Sequence, residues 1–201
     1  MEDVLSTRPF EGKDHAHLYQ KYRFGPPEDL QKIIFSYLEK KTTKPYKLAV
    51  DVGCGSGQGT KVLAPYFDKV VGIDISEAQI NQAKQSPNAL NISYIVGPAE
   101  KLPLEDGSVD LITSFAAIHW FNIGPFLMEV ERVLKPCGCM ALSTYLPYMN
   151  VYYHNYAEKL EEIVNEAMDF LVDSDASERI KLVVSEYKDI FNSVTLWDKN
   201  K

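Results

Sequence analysis

The residues best suited to ligand binding form a glycine-rich turn, Asp51-Val52-Gly53-Cys54-Gly55-Ser56-Gly57, directly after a short apolar run. Gly53 and Gly55 can adopt backbone angles that other residues avoid, and they let a ligand lie against the main chain. Asp51 ends an apolar strand, so its carboxylate needs a hydrogen-bond donor or a ligand. By itself, the turn is equally consistent with a tight strand-to-helix connection that binds nothing.

A second acid, Asp74, ends the next apolar run and makes the pattern more specific. An acid at the end of the second strand faces the glycine-rich turn and can accept both hydroxyls of a ribose. The dinucleotide fingerprint G-x-G-x-x-G is incomplete, because Gln58 stands at its third glycine. The turn and Asp74 together predict a nucleoside ligand.

Two other segments carry side chains that could take part in chemistry. His119 and Trp120 follow the fourth predicted strand, where loops carry function. His119 could act as a general base or donate to a substrate carboxylate, and a packed His119–Trp120 pair is the alternative. Near the N-terminus, Arg23 follows Tyr19 and Tyr22, and a guanidinium matches carboxylate geometry, although a surface position is the default.

Alternating strands and helices must position these residues. Apolar runs predict strands over residues 48–52, 69–74, 92–96, 109–115 and 138–145, with helices over 60–66, 76–84 and 123–134 between them. Ser76 is predicted as a helix N-cap, with Gln79 as its capping-box partner. This rhythm predicts an α/β fold with a doubly wound, mainly parallel sheet, whose strands end at one ligand-binding edge.

The alternation stops after residue 145. Residues 152–188 read as helical, and residues 191–197 as one short strand. We therefore expect a core with an N-terminal cover segment over residues 1–145 and a helical substrate or lid segment, truncated at the C-terminus, over 146–201.

Composition limits the partners and the compartment. The 201 residues carry a formal net charge of −7, which gives no general attraction to nucleic acid or anionic lipid. Three cysteines are too few and too poorly spaced for a disulfide framework or a zinc site, so we expect a reducing, cytoplasmic location and no bound metal. Neither a signal peptide nor an apolar run of membrane-spanning length is predicted.

The ordered motifs resemble those of class I S-adenosylmethionine-dependent methyltransferases over roughly residues 10–145. The glycine-rich turn is similar to motif I of that family, and the segment around Asp74 to its acidic-loop motif. Further similarity lies in Gly97-Pro98-Ala99-Glu100, in Ser108-Val109-Asp110-Leu111-Ile112 and in Glu131-Arg132-Val133-Leu134-Lys135-Pro136-Cys137-Gly138. Residues 19–24 and 117–121 resemble the small-molecule branch that includes trans-aconitate methyltransferases.

The resemblance implies a Rossmann-like methyltransferase topology and a role for each site residue. Gly53, Cys54 and Gly55 would lie under the methionine part of S-adenosylmethionine, with Asp51 near its ammonium group. Asp74 would hold the ribose, Ile75 would face the adenine, and Ala99 and Glu100 would border its edge. Tyr19 and Arg23 would meet the cofactor carboxylate, and Ser114 would lie beside the cofactor. Tyr22 and Trp120 would contact the substrate, and His119 would be the catalytic residue.

The resulting prediction is methyl transfer from S-adenosylmethionine to a small-molecule acceptor, with a carboxylic acid among the candidates and S-adenosylhomocysteine as the product. A non-catalytic, cofactor-binding regulatory module or a truncated isoform is the first alternative, because the family's sheet has seven strands and five are readable here. An NAD(P)-dependent oxidoreductase is the second alternative. It is disfavoured by Gln58, which stands at the third glycine of the dinucleotide fingerprint.

Overall fold

Five parallel strands form the centre of the computed structural model, which describes residues 10–146, 153–173 and 177–194. They are β1 (Tyr46–Val52), β2 (Phe67–Asp74), β3 (Ile92–Val96), β4 (Val109–Phe115) and β5 (Leu134–Ser143), in the spatial order β3-β2-β1-β4-β5. Nearly every residue of β4 is buried, as is typical of a parallel sheet with both faces covered. The predicted α/β fold with a parallel sheet is therefore confirmed.

Helices connect and flank these strands: α1 (Lys13–Tyr22), α2 (Glu28–Lys41), α3 (Gln58–Leu63), α4 (Glu77–Gln85) and α5 (Ile123–Val133). Ile34 and Leu38 of α2 pack into an apolar cluster with residues of β1, β2 and β4. Ile80 and Ala83 of α4 form a second cluster with Cys54 and Tyr94. Burial of these helical stripes against the sheet is the main favourable contribution to the fold.

The capping box predicted at the start of α4 is only half formed. Ser76 Oγ accepts a hydrogen bond from the backbone N–H of Gln79 at 3.3 Å, as an N-cap should. The Gln79 side chain does not return to the backbone N–H of Ser76, because that group donates to Asp74 Oδ1 at 2.8 Å. The predicted reciprocal bond is wrong, and the Gln79 amide is left for another purpose.

The last strand of the sheet begins earlier than the predicted residue 138. Leu134 pairs with Val109, whereas the next regular pair joins Cys139 to Leu111, so the chain bulges between them. Cys137, in this bulge, has a φ of 70°. A bulge breaks the apolar run that marks a strand in the sequence, which explains the late predicted start.

Residues Met1–Ser143 and Thr144–Lys201 form two separate compact units. The second contains a 3-10 turn (His154–Tyr156) and the helices α6 (Ala157–Asp173), α7 (Ser177–Val184) and α8 (Lys188–Ser193). The strand predicted over 191–197 is wrong at residues 191–193, where the N–H of Phe191 donates to Tyr187 O in a helical turn. Periodicity cannot distinguish helix from strand in so short an apolar run, and residues 195–197 lie outside the described part. The proposed lid role of this unit stays a prediction.

No helix among the described residues is long and apolar enough to cross a membrane.

Candidate functional site

An open cavity lies where the carboxyl ends of the central strands meet. Its walls are the turn after β1, the end of β2, the segment after β3, the loop after β4, and Phe10 and Tyr19 at the N-terminal side. It encloses about 760 Å³ of empty space, including the part open to solvent. The strand order changes direction between β1 and β4, which is where open α/β sheets bind ligands.

Glycine is required in the turn after β1 by conformation and by packing. Gly53 and Gly55 line the cavity with φ angles of 70° and 52°. A Cβ on Gly53 would lie 2.5 Å from Ala117 Cβ, so this glycine also permits the loop after β4 to approach. The N–H groups of Gly53 and Cys54 both donate to Ile73 O, which holds the turn against β2. The Cys54 side chain packs with α4, and Cys54 is not among the described residues that line the cavity.

Asp74 directs a carboxylate into the cavity at the end of β2. Its Oδ2 accepts from the N–H of Gly55 and its Oδ1 from that of Ser76, both at 2.8 Å. Burial raises the pKa of Asp74, and these two backbone N–H groups oppose the rise. A carboxylate has about four acceptor positions, so the two that remain are oriented and available to a ligand. Asp74 therefore lines the cavity as expected, and its contact with a ribose diol stays a prediction.

Asp51 lies inside the domain and not among the described residues that line the cavity. It is 1% exposed, and its carboxylate accepts from Thr60 Oγ1 at 2.8 Å and from Thr113 Oγ1 at 2.9 Å. Burial raises the pKa of this carboxyl to about 7. The donor that the sequence required is therefore supplied by two threonines, which connect the end of β1 to α3 and β4.

The predicted adenine side forms one wall of the cavity. Ile75 is 46% exposed there, Ala99 is nearly buried, and Glu100 is half-buried. Glu100 Oε1 accepts the N–H of Asn122 at 2.6 Å, which connects this wall to the start of α5. Ile75 and Ala99 give this wall two apolar side chains, which suit contact with a planar base.

The last residue of β4 and the loop after it contribute Phe115, Ala116, Ala117, Trp120 and Phe121 to the cavity. Ala116 has a φ of 53°, a left-handed conformation that is strained for alanine, and its N–H donates to Ser143 O at 2.7 Å. The predicted residues Ser114 and His119 are not among the described residues that line the cavity. Ser114 is fully buried. His119 is half-buried in the 3-10 helix Ile118–Trp120, with its ring centroid 5.4 Å from that of Trp120.

The N-terminal segment covers part of the cavity. Tyr19 of α1 lines it, and the Arg23 guanidinium lies over the Tyr19 ring at 5.0 Å. Phe10 contacts the rings of Tyr19 and Trp120 edge-on, and its carbonyl accepts from Ser76 Oγ at 2.9 Å. Tyr22 is 71% exposed and, like Arg23, is not among the described lining residues.

Sequence reasoning missed Phe10 and Gln79, both of which line the cavity. The sequence around Phe10 contains no pattern that marks it as a cavity residue. Gln79 had one, because it is a polar residue beside Ile80 on the face of α4 that its spacing predicts to be buried. A capping box with Ser76 accounted for the same polarity, so no cavity contact was predicted for Gln79.

Comparisons with known proteins indicate a methyltransferase domain. Residues 50–142 match the profile of the methyltransferase domain family. A Dictyostelium discoideum protein that carries a methyltransferase name is 38% identical over 144 residues, which cover 72% of this chain and 52% of that protein. The trans-aconitate 2-methyltransferase of Deinococcus radiodurans is 34% identical over 134 residues, covering 64% of this chain and 47% of that enzyme.

Among solved structures, a protein of Anaeromyxobacter dehalogenans described as a type II methyltransferase superposes with a TM-score of 0.69 at 27% identity. The match covers 90% of this chain and 69% of the other. The chain spans about half the length of the two curated relatives given above.

Proposed function

Residues 50–142 belong to the methyltransferase domain family, and we propose that the protein transfers a methyl group from S-adenosylmethionine to a small-molecule acceptor. The observation that carries this proposal is the Asp74 carboxylate, held by two backbone N–H groups beside a glycine-rich turn at the cavity wall. Such a carboxylate presents two oriented acceptors to the two adjacent hydroxyls of a ribose.

The residues present fit a nucleoside sulfonium compound. Asp74 would hold the ribose, while Ile75 and Ala99 would flank the adenine and Glu100 would border its edge. Gly53 and Gly55 would lie under the methionine part. A Cβ on Gly53 would clash with Ala117 at 2.5 Å, and one on Gly55 would contact Tyr19 at 3.6 Å. Asp51 enters the proposal as a support of the turn, because both of its oxygens are bonded to threonines inside the domain.

The cover segment would act at the amino-acid end of the cofactor. Tyr19 faces the cavity, and Arg23 stacks on the Tyr19 ring. Burial raises the pKa of Tyr19, so its hydroxyl stays protonated at neutral pH and can donate to a carboxylate. Arg23 would add positive charge behind that donor.

The proposed reaction requires positioning more than proton transfer. When bound, S-adenosylmethionine supplies a methyl group on a positively charged sulfur, whose departure leaves a neutral thioether. The chain would hold the two reactants in line, and the aromatic residues Phe10, Phe115, Trp120 and Phe121 would exclude water from the reacting atoms. Trp120, which is 38% exposed, would contact the acceptor.

A carboxylic acid is the proposed acceptor class. A carboxylate is already ionised at neutral pH and needs no general base. Among the described residues that line the cavity, the ionisable side chains belong to Tyr19, Asp74 and Glu100, and the two acids already accept backbone hydrogen bonds. The named substrate of the Deinococcus radiodurans relative is also a carboxylic acid. His119 would then donate to the acceptor or support Trp120, and would act as the catalytic base only for a hydroxyl acceptor.

Calorimetric titration with S-adenosylhomocysteine, S-adenosylmethionine and NAD tests the cofactor. We expect the first two to bind and NAD not to bind, whereas binding of NAD alone contradicts the proposal. Incubation with S-adenosylmethionine and a panel of dicarboxylic acids, phenols and amines, read by mass spectrometry, then tests the acceptor. Cofactor binding without methylation of any compound in the panel would favour the non-catalytic alternative.

A cytoplasmic location is also part of the proposal. All three cysteines are free thiols, and Cys137 is exposed. An exposed thiol persists in a reducing compartment. Cell fractionation with detection of the native protein checks this location, and recovery from a secreted fraction contradicts it.

A further inference from the structure

We infer that the side-chain amide of Gln79 is a second polar contact of the ribose. Its Nε2 would donate a hydrogen bond to the ribose, whereas the Asp74 carboxylate would accept. The inference rests on the proposed S-adenosylmethionine site. Gln79 is 2% exposed and lines the cavity. Neither its Oε1 nor its Nε2 has a hydrogen-bond partner within the part of the chain that the structure describes.

A buried amide with no partner is unfavourable, so its presence needs a reason. Packing does not supply one, because the neighbouring buried positions of α4, Ile80 and Ala83, are apolar and pack with Tyr94. Helix capping does not supply one either, since the backbone N–H of Ser76 donates to Asp74. An apolar side chain would satisfy both the helix and the core at position 79. The amide is therefore best explained by a ligand.

The position of the amide indicates which part of the ligand it meets. Gln79 Oε1 lies 3.8 Å from the point where a Cβ on Gly55 would stand. The N–H of Gly55 donates to Asp74 Oδ2 at 2.8 Å. The amide and the carboxylate consequently border the same region of the cavity, at the end of β2.

The two side chains complement each other chemically. An ionised carboxylate only accepts hydrogen bonds, whereas each ribose hydroxyl can donate one and accept others. Asp74 would accept from the hydroxyls, and Gln79 Nε2 would donate to a hydroxyl oxygen. This pair would recognise an intact diol more strictly than a carboxylate alone.

The test compares Gln79→Met with the unsubstituted protein, using Gln79→Leu as a second apolar variant. Gln85→Met, at an exposed position of the same helix, is the matched control. Dissociation constants are measured for S-adenosylhomocysteine and for 5′-methylthioadenosine, which has the same ribose but lacks the amino-acid end. The thermal midpoint without ligand is measured for every variant.

We expect Gln79→Met to weaken both ligands by the same factor, about three- to tenfold, which is the usual worth of one hydrogen bond. The ligand-free midpoint should stay unchanged or rise, because removal of an unpartnered amide costs the fold nothing. Against the 2′-deoxy or the 3′-deoxy form of 5′-methylthioadenosine, whichever lacks the contacted hydroxyl, the variant and the unsubstituted protein should bind equally. Gln85→Met should match the unsubstituted protein throughout.

Four results would overturn the inference. Unchanged affinity of Gln79→Met for S-adenosylhomocysteine refutes any contact, while a loss confined to S-adenosylhomocysteine moves the contact from the ribose to the amino-acid end. A ligand-free midpoint several degrees lower in both apolar variants assigns the amide a structural role. Failure of the unsubstituted protein to bind either ligand refutes the proposed function, and the ribose contact falls with it.

Discussion

Replacement of Asp51 by asparagine would test whether Asp51 is a buried residue that supports the glycine-rich turn or an exposed residue that contacts the ligand. The carboxylate is 1% exposed, and its two described donors are neutral threonine hydroxyls rather than a cation. Burial therefore raises its pKa from 3.8 to about 7. Asparagine has nearly the same shape and can both accept from and donate to the threonine hydroxyls, but it carries no titratable proton.

The expected effect on stability depends on pH. Between about pH 4 and pH 7, the folded protein keeps a proton on Asp51 that the unfolded chain, with an ordinary pKa of 3.8, has released. The free energy of unfolding therefore falls as pH rises through this window and levels off above pH 7. Each pH unit in this window lowers the free energy of unfolding by about 1.4 kcal/mol, so the two units between pH 5 and pH 7 amount to about 3 kcal/mol. Asp51→Asn does not lose this stability, because asparagine has no titratable proton.

Urea unfolding at pH 5 and pH 8 provides the measurement. We expect the stability of Asp51→Asn, relative to the unsubstituted protein, to improve by about 3 kcal/mol between the two pH values. Asp68→Asn is the control, because that side chain is 57% exposed on β2 and its relative stability should change by less than about 0.5 kcal/mol. A pH-independent difference for Asp51→Asn would refute the reasoning, since it would mean that the acid is ionised in the folded protein throughout this range.

Three further predictions concern the cavity. Gly53→Ala should lower the free energy of unfolding by about 2–4 kcal/mol. The alanine would have to adopt a left-handed backbone, and its Cβ would lie 2.5 Å from Ala117 Cβ. Gly107 also has a left-handed φ, of 57°, but open space surrounds it, so Gly107→Ala should lower the free energy of unfolding by only about 1 kcal/mol in urea. Equal losses in Gly53→Ala and Gly107→Ala would contradict the packing argument. Asp74→Asn should weaken S-adenosylhomocysteine binding about 10- to 100-fold in calorimetry, while Asp68→Asn changes it less than about twofold; similar losses would remove the specific role of Asp74. His119→Ala should keep turnover of a carboxylic acid within about threefold, and a loss of about 10²–10⁴-fold would instead make His119 the general base.

Local patterns in the sequence were sufficient for most of the sheet. The strands Ile92–Val96 and Val109–Phe115 agree with prediction to the residue. Both runs are rich in β-branched and aromatic residues, which favour strands. The bulge before Cys139 and the short helix Lys188–Ser193 were not predicted. Both depend on pairing or burial against other segments, which leaves no periodic signal in a few residues.

What the sequence by itself determined is the cavity's chemical centre: a glycine-rich turn after β1 and an acid, Asp74, at the end of β2. These features are local, because strand ends and turn glycines are specified by neighbours in the chain. Only the tertiary structure decided which polar groups face the cavity. It turned Asp51 inward, onto a threonine 62 residues away in the chain, and left the Gln79 amide unpartnered at the cavity wall. The orientation of these side chains is set by the packing of segments that are distant in the chain, so local sequence patterns do not reveal it.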